Sequence, residues 1–131
     1  MKVNIIFEMA KDGGFSCFMQ ETVPDFGLLG YGNTPKEAKE DMLQAYEEIK
    51  DALKAEGKTA TELEFVYHYD MKSFFEYFDF LNISKVAERA GINPSLMRKY
   101  ASGVVNAGEK QYKKLQKAIQ SIAQELATAN F

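Results

Sequence analysis

The stretch NISKVAERAGINPSLMRKYASG, from Asn82 to Gly103, holds two short helical patterns separated by a glycine. Ile83, Val86, Ala87 and Ala90 recur at helical spacing and give the first helix one thin apolar face. Gly91 ends it, because a glycine can take the left-handed conformation that closes a helix and turns the chain sharply. Ile92 then plugs the corner, and Ala87 is small where a second helix must cross close by. The chain restarts at Asn93-Pro94-Ser95. Asn93 can cap the new helix, and Pro94 at its first position lacks an N–H that would be unpaired there anyway. Met97 and Tyr100 or Ala101 point inward. That leaves Ser95, Leu96, Arg98, Lys99 and Ser102 on the outer face, with Asn93 at the helix start. These residues can reach phosphates and base edges in a major groove, so the pattern fits a helix-turn-helix DNA reader.

The bare A-x-x-x-G spacing also suits a helical hairpin packed in a core, and the flanks decide between the two. An aromatic-rich helical stretch precedes it (Phe74, Phe75, Phe78, Leu81). After an Asn106-Ala107-Gly108 turn comes a helix with Tyr112, Leu115, Ile119, Ile122 and Leu126 on one side. A helix-turn-helix pair cannot bury its own apolar face, and these outer helices supply the missing core. Lys110, Lys114 and Lys117 share a face at the start of the last helix, where they can serve as phosphate contacts independent of base sequence.

Charge divides the chain. The whole is nearly balanced at −3, but residues 1–70 hold 7 lysines against 14 carboxylates, a net −7, while residues 71–131 carry a net +4. An acidic half joined to a basic half implies partners of opposite charge, with nucleic acid on the C-terminal side. A hinge is expected near Asp70 to Ser73, giving domains 1–70 and 71–131. The single cysteine, Cys17, excludes an internal disulfide, and without a charged-then-apolar leader the expected compartment is a reducing cytoplasm. No apolar run approaches the roughly 20 residues that span a bilayer, so no membrane partner is expected.

The acidic half reads as three strands, a helix and a strand. Val3, Ile5, Phe7 and Met9 alternate with mixed neighbours, Lys11 to Gly14 forms a hairpin turn, and Phe15, Cys17 and Met19 return. After the Pro24-Asp25-Phe26-Gly27 loop, Leu28 to Tyr31 make a short third strand. Thr34-Pro35-Lys36-Glu37 supplies a cap, a proline at the first helical position and a capping-box glutamate. The helix runs to about Ala55 with Ala38, Met42, Ala45, Tyr46, Ile49 and Leu53 on its apolar stripe, and Gly57 stops it. Leu63, Phe65, Tyr67 and Tyr69 then alternate as a fourth strand. The fold class is α+β: a small sheet covered by one helix, followed by an all-helical domain.

Little catalytic chemistry is on offer. His68 is the only histidine and Cys17 the only cysteine, and the usual zinc spacings are absent, so no metal, cofactor or enzymatic activity is expected. A magnesium nuclease would need acids converging from several elements. Glu8, Glu21 and Asp25 are its only early candidates, and they read as solvated.

The two halves together resemble the HicB family of antitoxins from type II toxin–antitoxin pairs. The resemblance rests on Asp12-Gly13, on Pro24-Asp25, and on Gly32-Asn33-Thr34-Pro35-Lys36-Glu37-Ala38 opening the helix. Where many members read L-P-G-C, this chain has Phe26-Gly27-Leu28-Leu29. The C-terminal half is similar to the Cro and phage-repressor type of helix-turn-helix. The resemblance implies a β-β-β-α-β domain related to a partial ribonuclease H fold, which binds a small basic HicA-like messenger-RNA-cleaving toxin. It also implies a second domain that represses its own operator as a homodimer or higher homo-oligomer. The acidic helix face (Glu40, Glu47, Glu48, Asp51) and the loop of Pro24, Asp25, Phe26 and Leu28 are the expected toxin contacts. The competing reading is a stand-alone helix-turn-helix regulator with a sensing or dimerising N-terminal domain; a ribonuclease H-like nuclease ranks below both.

Overall fold

Alternation of large apolar residues sets the N-terminal half of the computed structural model, which describes residues 1–131. Strands β1 (Lys2–Met9), β2 (Phe15–Met19) and β3 (Leu29–Gly32) precede helix α1 (Pro35–Ala55), and β4 (Glu64–Tyr69) follows it. They form one sheet in the order β3-β2-β1-β4. β2 runs antiparallel to both its neighbours, whereas β4 is parallel to β1. A parallel neighbour needs a crossover, and α1 provides it. Val3, Ile5 and Phe7 of β1 and Phe15 and Cys17 of β2 are buried against Ala38, Met42 and Tyr46 of α1. Each large side chain so buried is worth about 1.5–3 kcal/mol. The helix start keeps the expected cap, the Glu37 N–H donating to Thr34 Oγ1 at 3.1 Å, but the Glu37 carboxylate reaches one residue past the cap and accepts from the Asn33 N–H at 2.7 Å.

α1 lies almost in contact with β3. A Cβ built on Gly30 would stand 2.2 Å from the Ala38 carbonyl oxygen and 2.7 Å from the Met42 nitrogen, so only glycine permits this approach. The third strand begins one residue later than expected. Phe18 pairs with Leu29, and Leu28 turns into the core with its carbonyl accepting from the Met19 N–H at 3.1 Å.

The C-terminal half is helical: α2 (Met71–Tyr77), α3 (Ile83–Ala90), α4 (Pro94–Ser102) and α5 (Glu109–Thr128). By its internal contacts the chain divides into two compact units, Met1–Asp70 and Met71–Phe131. The second unit buries Met71, Phe75, Val86, Ala87, Ile92, Met97, Tyr100, Ala101 and Leu115 in one cluster. Tyr100 and Ala101 both point inward. Three sequence expectations shift here. Met71 and Ser73, expected in a hinge, are buried in α2, so only Asp70 separates β4 from that helix. The aromatic helix stops at Tyr77, and Phe80 beyond it is exposed. Leu126 continues the apolar period of α5 past the end of the core and stands 64% exposed. No helix of the chain is long and apolar enough to cross a membrane.

Candidate nucleic-acid interface

The turn between α3 and α4 is built from backbone geometry. Gly91 adopts φ 70° and its N–H donates to the carbonyls of Ala87 and Glu88, while the Ile92 N–H donates to Ala87 at 2.9 Å. These bonds satisfy the last carbonyls of α3 as Ile92 enters the core, 3% exposed. Asn82 and Asn93 cap the two helices, accepting from the N–H groups of Lys85 and Leu96 at 3.0 and 3.2 Å. The Lys114 ammonium lies 3.5 Å from the Gly91 carbonyl oxygen, which brings α5 to the turn.

On α4, Ser95, Arg98, Lys99 and Ser102 are exposed. Leu96 is the correction to the outer set: it is half-buried and packs against the helical core that holds Met97, Tyr100 and Ala101. Asn93 spends its side-chain oxygen on the cap, and the Ser102 hydroxyl donates to the Lys99 carbonyl at 3.1 Å. Arg98 is held from two sides: Nη1 donates to Ser84 Oγ at 2.8 Å and Nη2 to Ser95 Oγ at 3.1 Å. Its remaining N–H donors point to no other protein group among these bonds, and a guanidinium so fixed loses less side-chain freedom on binding. Sequence reasoning missed Ser84. Its only signal is a small hydroxyl at the second position of α3, fourteen residues before the arginine it braces.

The lysines of α5 separate into different surroundings. Lys110 and Lys117 are exposed, Lys114 is half-buried at the turn, and Lys113 pairs with Glu109 at 3.1 Å. Arg89 of α3 is tied to Glu125 of α5, which takes that cation away from the surface set.

In the acidic unit the expected partner residues fare unevenly. Glu40, Glu47, Glu48 and Asp51 are exposed on α1; Glu40 lies 4.0 Å from Lys36, and Glu47 pairs with Lys50 at 2.7 Å. Pro24 is exposed, as is Asp25, which takes φ 73° and lies 3.7 Å from Lys58. Leu28 does not present a surface, and Phe26 is half-buried. A Val23–Phe26 bridge folds the loop back, so Phe26 packs on Tyr46 and Leu28 is 5% exposed in the core.

Cys17 and His68 are on opposite sides of the sheet. Cys17 pairs with Phe7 on the helix-covered face, where its thiol donates to the Ala38 carbonyl at 3.3 Å. Burial, with the Asp41 carboxylate adding to it, pushes that thiol up to about 11, so it stays protonated at neutral pH. His68 is exposed on the other face, where its Nε2 lies 2.7 Å from Asn4 Oδ1. Asn4 in turn donates from its backbone N–H and its amide to the Glu21 carboxylate, which those bonds hold below the usual carboxylate range. No cluster of three or more His, Cys, Asp or Glu side chains is arranged to hold a metal ion.

Comparison with protein-family models, with curated proteins and with solved structures gives no match for this chain.

Proposed function

We propose that this chain is a HicB-like antitoxin: its helical unit represses its own operator, and its acidic unit holds a small basic HicA-like toxin that cleaves messenger RNA. The observation that carries the reading is Arg98, exposed on the outer face of a capped helix-turn-helix and braced by Ser84 and Ser95 before any ligand arrives. A guanine edge presents two acceptors to such a fork in the major groove. Lys99 and the exposed Lys110 and Lys117 add charge for phosphates. The β-β-β-α-β order, with a parallel β1–β4 pair, supports the partial ribonuclease H-like reading of the acidic unit. Its net −7 suits a partner that must itself be basic to act on RNA. A two-fold operator would require two copies of the helical unit, hence a homodimer or higher homo-oligomer.

The test has two arms. Fluorescence anisotropy with the duplex upstream of the coding sequence, across a salt series, should show specific binding that weakens steeply with salt. The flanking DNA should encode a short basic protein, and co-expression with it should yield a complex that protects messenger RNA from cleavage. DNA binding without any basic partner would favour the stand-alone regulator instead.

A further inference from the structure

α1 covers only one side of the sheet, the side of Val3, Ile5, Phe7 and Cys17. On the other side the strand register lines up Leu29, Phe18 and Ile6 in one row across β3, β2 and β1. Tyr31 lies two residues along β3 from Leu29, and Val66 of β4 sits opposite Asn4 on the same face. No helix of the acidic unit lies on this side: Leu29, Tyr31 and Val66 are 47%, 63% and 38% exposed, and Ile6 and Phe18 are half-buried. Single exposed apolar residues are ordinary, whereas a contiguous row across three strands marks an interaction surface. Its border carries three carboxylates against one lysine: Glu8 follows Ile6 on the same face of β1, Glu64 lies on the Val66 face of β4 opposite Lys2, and Glu21 is fixed by Asn4, while His68 of β4 stands opposite Ile6.

We infer that this open sheet face docks a basic protein, with Leu29, Phe18 and Ile6 as the apolar centre and the carboxylates as the rim. An apolar centre inside a charged border is the anatomy of a specific protein interface. Four strands about 4.8 Å apart span roughly 15 Å, the size of an interface centre. The rim must supply the rest of the usual area of about 800 Å² per partner. Charge selects the occupant. A second copy of the unit brings another −7 and sets carboxylate against carboxylate, whereas a basic surface is attracted to the same rim. Phe18 and Tyr31 could stack bases, but the acidic border repels phosphates. This inference rests on the toxin-binding reading of the acidic unit and moves the contact to the side of the sheet opposite α1.

Two variants of the full chain with the same change in net charge separate the surfaces: Leu29→Lys with Val66→Lys on the sheet, and Glu40→Gln with Asp51→Gln on α1. Each is titrated against the purified short basic protein that the proposed function expects to be encoded beside this chain, with retained DNA binding and circular dichroism as controls for folding. The sheet variant should bind about a hundredfold more weakly, the scale of losing a central contact. The α1 variant should lose no more than about threefold, the scale of a rim charge. Tyr31→Ala, at the most exposed aromatic of the face, gives a milder second reading of the same loss. Equal weakening by the two double variants overturns the docking face while leaving the antitoxin reading intact. Absence of any complex with the unmodified chain overturns both. A sheet variant that keeps the partner but changes its sedimentation shows that the face joins copies of the chain, which also overturns the inference.

Discussion

The two units solve the same burial problem with different materials, and the difference decides what each leaves at its surface. In the helical unit α2 to α5 all turn their apolar sides to one cluster, so the outer side of α4 is left polar and cationic at Ser95, Arg98 and Lys99. In the α/β unit a single helix meets a four-stranded sheet and can cover only one side of it. The other side keeps its alternation and with it an apolar row. In the bundle the outer side of α4 is left to charge and hydrogen bonds, whereas a sheet covered on one side keeps apolar area exposed on the other.

The largest way to break the comparison is at the single helix of the α/β unit. Gly30→Ala forces α1 off β3, since the new Cβ would meet the backbone at 2.2 Å. We expect a loss of about 3 kcal/mol, at the upper end for overpacking, measured as a fall in urea midpoint of the α/β unit. Gly27→Ala, where a Cβ meets nothing within 4 Å, should change stability by no more than about 0.5 kcal/mol.

The next effect belongs to the cationic face. Arg98→Ala should weaken specific DNA binding by roughly 1–3 kcal/mol, whereas Ser84→Ala should cost about 0.5–1.5 kcal/mol by releasing one side of the brace. Anisotropy titration of both variants checks this, and a Ser84→Ala variant with unchanged affinity would reduce the brace to a surface contact. Smaller again is Gly91→Ala. Nothing lies within 4 Å of the new Cβ, so only the left-handed φ of 70° is penalised, at about 1 kcal/mol in thermal or urea unfolding. The smallest effect is a pH dependence at Glu21. Its carboxyl is lowered from the ordinary 4.5, first by the Asn4 N–H, so its contribution is present above that value and lost as pH falls through the lower folded value. Unfolding curves of the unmodified chain and Glu21→Gln should therefore differ at neutral pH and converge below 4.5.

Much of the helical unit is legible because its constraints are local. Ala87, Gly91, Ile92 and Asn93 fall within seven residues, and each has one physical role that spacing exposes. Leu126 misleads because periodicity reports which side a residue takes, not how far the neighbouring helices extend. In the α/β unit alternation places Ile5 and Ile6 on opposite faces, but which face α1 covers and where β3 starts depend on pairing with β2, which no local pattern encodes. That is why Leu28 reads as a partner residue in the sequence and lies in the core. The Ser84–Arg98 bond is non-local in the same sense, since it joins two helices across their turn.

The solitary thiol gives the α/β unit a built-in clock. Cys17 is fully shielded between β2 and α1, and the helical unit contains no other sulfhydryl to compete with it. An alkylating reagent can reach it only when the helix lifts from the sheet, and while the sheet is closed burial also keeps the thiol protonated and unreactive. The rate at which the unmodified chain takes up such a reagent therefore times the breathing of one unit alone, with no engineered probe and no signal from its neighbour.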